Sequence, residues 1–197
     1  MAVAGLRVLL LDHGQRRSPI FRAELIRLRC QLLDVLDSVQ DLPAAMLRSE
    51  PDLILIDSEH LDADLLAALA ATVASRHLPV LLFADGLGPD AMRSALQAGV
   101  NVVIVGGLQP QRLESVLQLT LARFEQDDQL RQELDRVNTQ LADRKSIERA
   151  KGILMREQHL DEDTAYHRLR RLAMDRGEPL AAVAARLLEA DQLLRKA

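Results

Sequence analysis

Residues 52–57 read Asp-Leu-Ile-Leu-Ile-Asp, with four consecutive aliphatic side chains between two carboxylates. An apolar run without polar alternation is typical of a strand that is buried on both faces, as in a parallel sheet covered by helices. In such domains, functional groups gather at the carboxyl ends of the strands. Asp57 therefore marks the edge of the sheet where we expect a functional site.

The sequence on either side of this stretch alternates between predicted strands and predicted helices. The strands are predicted at residues 6–11, 34–39, 53–56, 78–83 and 101–105, and the helices at 18–28, 42–49, 62–75 and 89–98. This alternation predicts an α/β fold, a doubly wound domain with a parallel five-stranded sheet. A flavodoxin-like strand order, 2-1-3-4-5, makes the first and third strands neighbours and brings Asp12 next to Asp57.

The predicted order and the position of Asp57 resemble the receiver domain of response regulators, and we assign this domain to residues 1–123. The resemblance implies that Asp57 stands where the family has its phosphoacceptor. Receivers usually have a second acid after the first strand, a Ser or Thr after the fourth and a Lys after the fifth. The corresponding residues here are His13, Ala84 and Gly106.

These departures remove most of the usual apparatus, because phosphoryl transfer depends on a metal ion and on fixed positive charge around the phosphoryl oxygens. Asp57 is therefore either still phosphorylated or a vestigial phosphoacceptor that shares a pocket with Asp12. We expect the second alternative, a pseudo-receiver without Mg²⁺ or another cofactor that is switched by a protein partner. A stable mass gain of one phosphoryl group after treatment with acetyl phosphate and Mg²⁺ would contradict it.

A long helix is predicted after the α/β domain, because neither Gly nor Pro occurs between Gln111 and Gly152. Residues 113–141 form the predicted connector. Its four apolar residues at spacings of four, three and four suggest a coiled-coil seam and a parallel homodimer; they are Leu130, Leu134, Val137 and Leu141. The alternative is that this stripe folds back on its own domain.

The rest of the chain predicts three short helices. The first continues the connector to about Gln158, the second lies between an N-cap at Asp161 and a C-cap at Gly177, and the third begins near Pro179. Residues 144–197 carry a formal charge of +3, whereas residues 1–143 carry −7. This asymmetry is expected when one part regulates and the other binds a polyanion, although a solvated helical surface would also explain it.

Three stretches carry the most specific motif. Residues 144–155 read Arg-Lys-Ser-Ile-Glu-Arg-Ala-Lys-Gly-Ile-Leu-Met, residues 165–174 read Ala-Tyr-His-Arg-Leu-Arg-Arg-Leu-Ala-Met, and residues 181–184 read Ala-Ala-Val-Ala. Together they resemble the ANTAR domain, an RNA-binding output domain of transcription antiterminators, which we assign to residues 137–197. With the degenerate receiver and the segment 102–108, the chain most resembles nitrate-assimilation antiterminators (NasT-like), and amidase-type regulators (AmiR-like) are relatives.

The resemblance implies a cytoplasmic regulator that binds hairpins in leader mRNA and prevents a terminator from forming. It also implies a NasS-like ligand-sensor partner that sequesters the protein until nitrate, nitrite or another small molecule is present. The alternative is a DNA-binding response regulator of a two-component system, because three helices with arginines can also form a helix-turn-helix. Competition between hairpin RNA and duplex DNA separates the two.

Seven basic residues are the predicted RNA contacts, and they are Arg144, Lys145, Arg149, Lys151, Arg168, Arg170 and Arg171. Arginine forks match phosphate oxygens and stack on unpaired bases. The alternative for the arginines of the second tail helix is a solvated face paired with Asp161, Glu162 and Asp163. We expect substitution of Arg171 or Lys151 by Ala to weaken RNA binding and to preserve the helices.

Lys151 and Gly152 are adjacent in the first tail helix, and together they favour an RNA contact over a purely structural role. On a helical wheel Lys151 lies at the margin of the apolar stripe, where it either snorkels or points at a phosphate. Gly152 inside a helix costs about 1 kcal/mol relative to Ala, and such a residue often marks the close approach of another helix or of a nucleic-acid backbone.

Composition excludes several other functions. The four aromatic residues are too few for RNA-binding modules that stack bases on a sheet. A single cysteine, Cys30, excludes a disulfide framework, and the five histidines show no metal-ligand spacing. The longest uncharged apolar stretch, residues 65–74, is too short to span a bilayer. No nucleophile–base pair is evident, so we do not expect an enzyme.

Overall fold

The computed structural model describes residues 3–13, 17–106 and 109–196. These residues belong to two compact units, which divide the chain at residues 128 and 129. The strands are β1 (Arg7–His13), β2 (Gln31–Leu36), β3 (Leu53–Ser58), β4 (Val80–Ala84) and β5 (Val102–Val105). The helices are α1 (Ser18–Arg27), α2 (Leu42–Ser49), α3 (Ala63–Ser75), α4 (Pro89–Gln97), α5 (Leu113–Gln158), α6 (Glu162–Arg176) and α7 (Leu180–Lys196).

The first unit contains a parallel five-stranded sheet in the order β2-β1-β3-β4-β5, which confirms the predicted topology. Alternate residues of the strands enter two separate cores. Val8 and Leu10 pack on the face that α1 and the start of α5 cover, whereas Leu9 and Leu11 pack on the face that α2 and α3 cover. Because both faces of the central strand β1 are covered, its residues 8–11 are apolar at every position.

The second strand lies three residues earlier than predicted. The prediction placed it at residues 34–39, and the structure places it at Gln31–Leu36. It is the edge strand of the sheet and most of its side chains are at least partly exposed, so its apolar signal is weak. Ser38 then accepts a hydrogen bond from the Gln40 amide at 3.2 Å and begins a short 3-10 turn, which ends the strand.

The predicted long helix is confirmed as α5, which has 46 residues. Its first turns belong to the core of the first unit, where Leu113, Leu117 and Leu121 are buried. Its last turns belong to the core of the second unit through Ala150 and Leu154.

The second unit also contains α6 and α7, and its helix ends follow the predicted signals. The Asp161 carboxylate accepts a hydrogen bond from the Thr164 amide at 2.9 Å and caps α6. Gly177 ends that helix with φ at +64°, a backbone conformation that glycine adopts without a steric penalty. The core consists of small and aliphatic side chains from all three helices: Ala150, Leu154, Ala165, Leu169, Ala173, Val183 and Ala184.

Within the ranges given above, no helix is both long and apolar enough to cross a membrane.

Candidate nucleic-acid interface and acidic pocket

Two buried carboxylates lie side by side in the first unit. Asp12 and Asp57 are register partners near the carboxyl ends of β1 and β3, and they are 1% and 3% exposed. Asp12 accepts a hydrogen bond from the backbone amide of Ser18 at the start of α1 at 3.1 Å. The sequence-predicted pocket pair is therefore brought together by the strand order.

Arg17, which the sequence analysis did not single out, supplies positive charge to this pocket. Its Nε lies 3.0 Å from Oδ2 of Asp57, and its Nη2 donates to Oδ1 of the same carboxylate. Its Nη1 lies 2.6 Å from Oδ1 of Asp85, which follows β4. The Arg17 side chain is only 14% exposed. One guanidinium thus holds two carboxylates, one of them in the fork geometry that arginine favours.

The groups around Asp57 have opposing effects on its pKa. Burial raises the pKa of Asp57 above its ordinary value of 3.8, while the hydrogen bonds and charge of Arg17 act to lower it and the charges of Asp12 and Asp85 act to raise it. Burial also disfavours the charged form of Arg17 and so lowers its pKa. The hydrogen bonds and charges of Asp57 and Asp85 outweigh this effect, and the pKa of Arg17 is raised overall. Arg17 is therefore a permanent cation in the pocket.

The residues around this pocket do not fit the magnesium site of a receiver domain. Both oxygens of Asp57 accept hydrogen bonds from Arg17, and His13 stands where a second acid would bind the ion. Ala84 ends β4 and Gly106 follows β5, so the two positions that engage a phosphoryl group in receivers have no functional side chain. In the described ranges no cluster of three or more His, Cys, Asp or Glu residues is arranged to hold a metal.

The second unit exposes a cationic surface on α5 and α6. Six of the seven predicted RNA contacts are exposed, and none of the six forms an ion pair among the residues that the structure describes; they are Arg144, Lys145, Arg149, Arg168, Arg170 and Arg171. We refer to these six residues as the basic surface. Unpaired surface cations are available to an external polyanion.

Of the three acids that were expected to pair with the α6 arginines, none forms an ion pair with them among the described residues, and two are engaged elsewhere. Asp161 caps α6 and accepts a second hydrogen bond from the Thr164 hydroxyl at 2.8 Å. Glu162 lies 2.8 Å from Nζ of Lys151. The alternative interpretation, a solvated face neutralised by these acids, therefore lacks the ion pairs it requires.

Lys151, the seventh predicted contact, has a different environment. It is 8% exposed, and its Nζ lies 2.9 Å from Glu148 on its own helix and 2.8 Å from Glu162 on α6. The hydrogen bonds that Lys151 donates to Glu162 and Glu148 raise the pKa of Lys151 above 10.5. These contacts favour the structural alternative over the predicted RNA contact, because the ammonium joins two helices instead of facing solvent.

Gly152 lies beside Lys151 but faces open space. A Cβ at this position would meet no atom within 4 Å outside its own helix backbone and its chain neighbours. No described helix therefore packs against Gly152, so the close approach of another helix of the unit does not explain the glycine. The exposed backbone leaves room for an external ligand.

An exposed stripe on α6 was missed by the sequence analysis. Tyr166, Arg170 and Met174 follow one another at intervals of four residues, so they share one face of the helix. Tyr166 is 38% exposed and Met174 is 71% exposed. The sequence contained this signal, because Tyr166 and Met174 are each four residues from Arg170 and do not fall on the helix face that carries the core residues. Aromatic and guanidinium planes are surfaces on which unpaired bases stack.

The predicted coiled-coil seam is exposed within the second unit. Leu130, Leu134, Val137 and Leu141 are 61%, 64%, 47% and 50% exposed. They lie in the part of α5 that belongs to the second unit, and none belongs to a core cluster. A stripe of this kind is suited to a partner helix.

Comparison with known proteins supports the assignment of both units. Residues 135–188 match the model of the ANTAR domain. The chain is 28% identical over 140 residues to the transcriptional regulatory protein PdtaR of Mycobacterium tuberculosis, and the match covers 71% of this chain and 68% of that protein. It is also 29% identical over 134 residues to the response regulator PleD of Caulobacter vibrioides, covering 66% of this chain and 29% of PleD.

Solved structures show the fold of the α/β unit. The signal receiver domain of a modulated diguanylate cyclase from Desulfovibrio desulfuricans is similar with a TM-score of 0.55 and 17% identity, covering 62% of this chain and 98% of that one. A CheY-like receiver domain protein from Methanospirillum hungatei has a TM-score of 0.55 and 15% identity, covering 63% and 99%. The chain thus combines a receiver fold with an ANTAR domain, as predicted. The narrower resemblance to NasT-like and AmiR-like regulators, which drew in part on Gly107 and Leu108 outside the described residues, stays a prediction.

Proposed function

We propose that this chain, an ANTAR domain combined with a receiver fold, is a cytoplasmic regulator of transcription antitermination and not an enzyme. In this proposal the second unit binds hairpins in leader mRNA and prevents a terminator hairpin from forming. The genes that it controls serve nitrate or nitrite assimilation. The resemblance of the sequence to NasT-like antiterminators supports this choice of genes.

The observation that carries the RNA-binding proposal is the basic surface of α5 and α6. Its cations are exposed and lack ion pairs among the described residues, while the chain as a whole has a formal charge of −4. A net-negative protein with a localised group of free cations meets a polyanion at that group. We assign Lys151 to holding α5 against α6, because its two glutamate partners already satisfy it.

The exposed stripe of α6 favours folded RNA over duplex DNA as the ligand. Tyr166, Arg170 and Met174 offer flat and apolar surfaces beside the cations. The bases of a duplex are stacked and cannot reach such surfaces, whereas a hairpin loop presents unpaired bases. We propose that the stripe contacts loop bases and that the neighbouring cations contact the backbone of the stem.

We further propose that the protein is a parallel homodimer through the seam of α5. Two ANTAR domains on one dimer would contact two hairpins of the same leader, and linkage of the two contacts raises the apparent affinity without any new interaction. The exposure of all four seam residues supports this arrangement.

In this proposal the first unit regulates access to the RNA-binding surface through a protein partner, a NasS-like ligand sensor that releases the regulator when nitrate or nitrite is present. The loss of the usual receiver side chains at His13, Ala84 and Gly106 supports control by a partner instead of by phosphorylation. Co-purification of the regulator with the sensor, and its release by nitrate, is the corresponding measurement.

The test uses the full chain and the leader transcript upstream of its own neighbouring genes. We expect the hairpin RNA to displace a labelled hairpin at much lower concentration than duplex DNA of equal charge. Equal competition by the duplex would favour the DNA-binding response regulator and overturn the proposal.

A variant series locates the contact. Arg171→Ala is expected to lower RNA affinity and to reduce the slope of log K against log salt by about 1, because one phosphate contact is lost. Arg22→Ala is the matched control, since Arg22 is an exposed residue of α1 in the other unit. If both variants bind as the wild type does, the basic surface is not the RNA-binding site.

A further inference from the structure

The pocket of the first unit contains its own cation. Asp12 and Asp57 are almost fully buried on adjacent strands, and two buried carboxylates without compensation would repel each other strongly. Arg17 lies in the same pocket and donates to both oxygens of Asp57. The guanidinium therefore supplies the positive charge that a divalent ion would otherwise provide.

Arg17 is also held from a second direction. Its Nη1 is 2.6 Å from Asp85 at the end of β4, whereas Asp57 belongs to β3. It lies directly before α1, so one side chain joins the first turn of that helix to the carboxyl ends of two strands. An arginine with fixed partners on both sides of its fork is an ordered element of the fold and not a mobile surface residue.

We propose that Arg17 is a built-in replacement for a divalent cation and that it closes this pocket to metal ions. With its fork on Asp57, both oxygens of that carboxylate already accept a hydrogen bond, and the positive charge of the guanidinium repels a metal ion. The arrangement of the charged side chains in this pocket therefore does not depend on Mg²⁺. This inference concerns the first unit alone and does not depend on RNA binding by the second.

Mn²⁺ alone is the probe, because it binds oxygen ligands as Mg²⁺ does and its free form is measured directly by electron paramagnetic resonance. The wild-type chain is expected to leave Mn²⁺ free at millimolar concentration. Arg17→Met keeps much of the side-chain volume and removes the charge. Asp12 and Asp57 then remain as two adjacent carboxylates, which can hold an ion that keeps its other ligands as water, so this variant is expected to gain one Mn²⁺ site. Adding Asp57→Asn should abolish that site. Mn²⁺ bound equally by the wild type and by Arg17→Met, or by neither, overturns the proposal.

A second measurement reports on stability instead of metal binding. Asp57→Asn removes the charged partner of Arg17 in the wild type, whereas in Arg17→Met it only relieves repulsion between carboxylates, so the change in Tm is expected to be less favourable in the wild type by several degrees. The difference between the two changes in Tm measures the coupling of Arg17 and Asp57 directly. If Arg17→Met does not fold, adding Asp57→Asn is expected to restore its fold. A change in Tm of equal size in both backgrounds, or an unfolded Arg17→Met that Asp57→Asn does not restore, refutes the role of Arg17.

Discussion

Truncating Leu134 tests the proposed dimer seam. The side chain is 64% exposed and lies in the middle of the four-residue stripe. Leu→Ala removes three carbon atoms, which are worth about 0.8 kcal/mol each when buried, or about 2.4 kcal/mol in all. Scaled by the exposed fraction, the loss is roughly 1.5 kcal/mol per protomer and roughly 3 kcal/mol per dimer. The dimer dissociation constant should therefore rise about 100-fold.

Sedimentation equilibrium of the full chain measures this change over a range from micromolar to several hundred micromolar. Ala has a higher helix propensity than Leu, so circular dichroism should show unchanged helix content. Leu47→Ala is the matched control, because Leu47 is 86% exposed on α2 and undergoes the same chemical change away from the seam.

Two results would refute this reasoning. A wild-type chain that remains monomeric at tens of micromolar shows that the stripe does not pair with a second copy. A dimer whose dissociation constant is equally affected by Leu134→Ala and Leu47→Ala shows that the protomers associate elsewhere.

Two further predictions concern the second unit. Leu169→Ala, at a fully buried core position, should reduce the free energy of unfolding by about 2–5 kcal/mol in urea titrations followed by circular dichroism, whereas exposed Arg170→Ala should change it by less than about 0.5 kcal/mol. The hydrogen bond from Lys151 lowers the pKa of Glu162 below 4.5, and its two glutamates raise the pKa of Lys151 above 10.5. The wild type should therefore have a larger free energy of unfolding than Lys151→Met, by an amount that is constant between pH 4.5 and pH 10.5. This difference should decrease at lower pH, where Glu162 is protonated, and at higher pH, where Lys151 is deprotonated. A difference that does not change with pH would contradict the ion pair.

Short-range patterns in the chain were sufficient to predict both folds. The aliphatic run at residues 53–56 specified a strand covered on two faces, and the absence of Gly and Pro between Gln111 and Gly152 specified one long helix. Asp161 and Gly177 marked the ends of α6 because capping depends on residues within one turn. The edge strand β2 was misplaced, since a half-exposed strand has little apolar periodicity to read.

The roles of individual charged residues depended on contacts between distant parts of the chain. Arg17 and Asp57 are 40 positions apart, and no local pattern distinguishes Arg17 from the other arginines near the first strand. The helical wheel was compatible with a contact between Lys151 and an RNA phosphate. In the structure Lys151 forms an ion pair with Glu162, because α6 packs beside α5. Helix and strand periodicity is a property of neighbouring residues, whereas the partner of a charge is set by which surfaces the folded core brings within about 4 Å of each other. The sequence therefore located the cationic region, and packing decided which of its cations form ion pairs among the described residues.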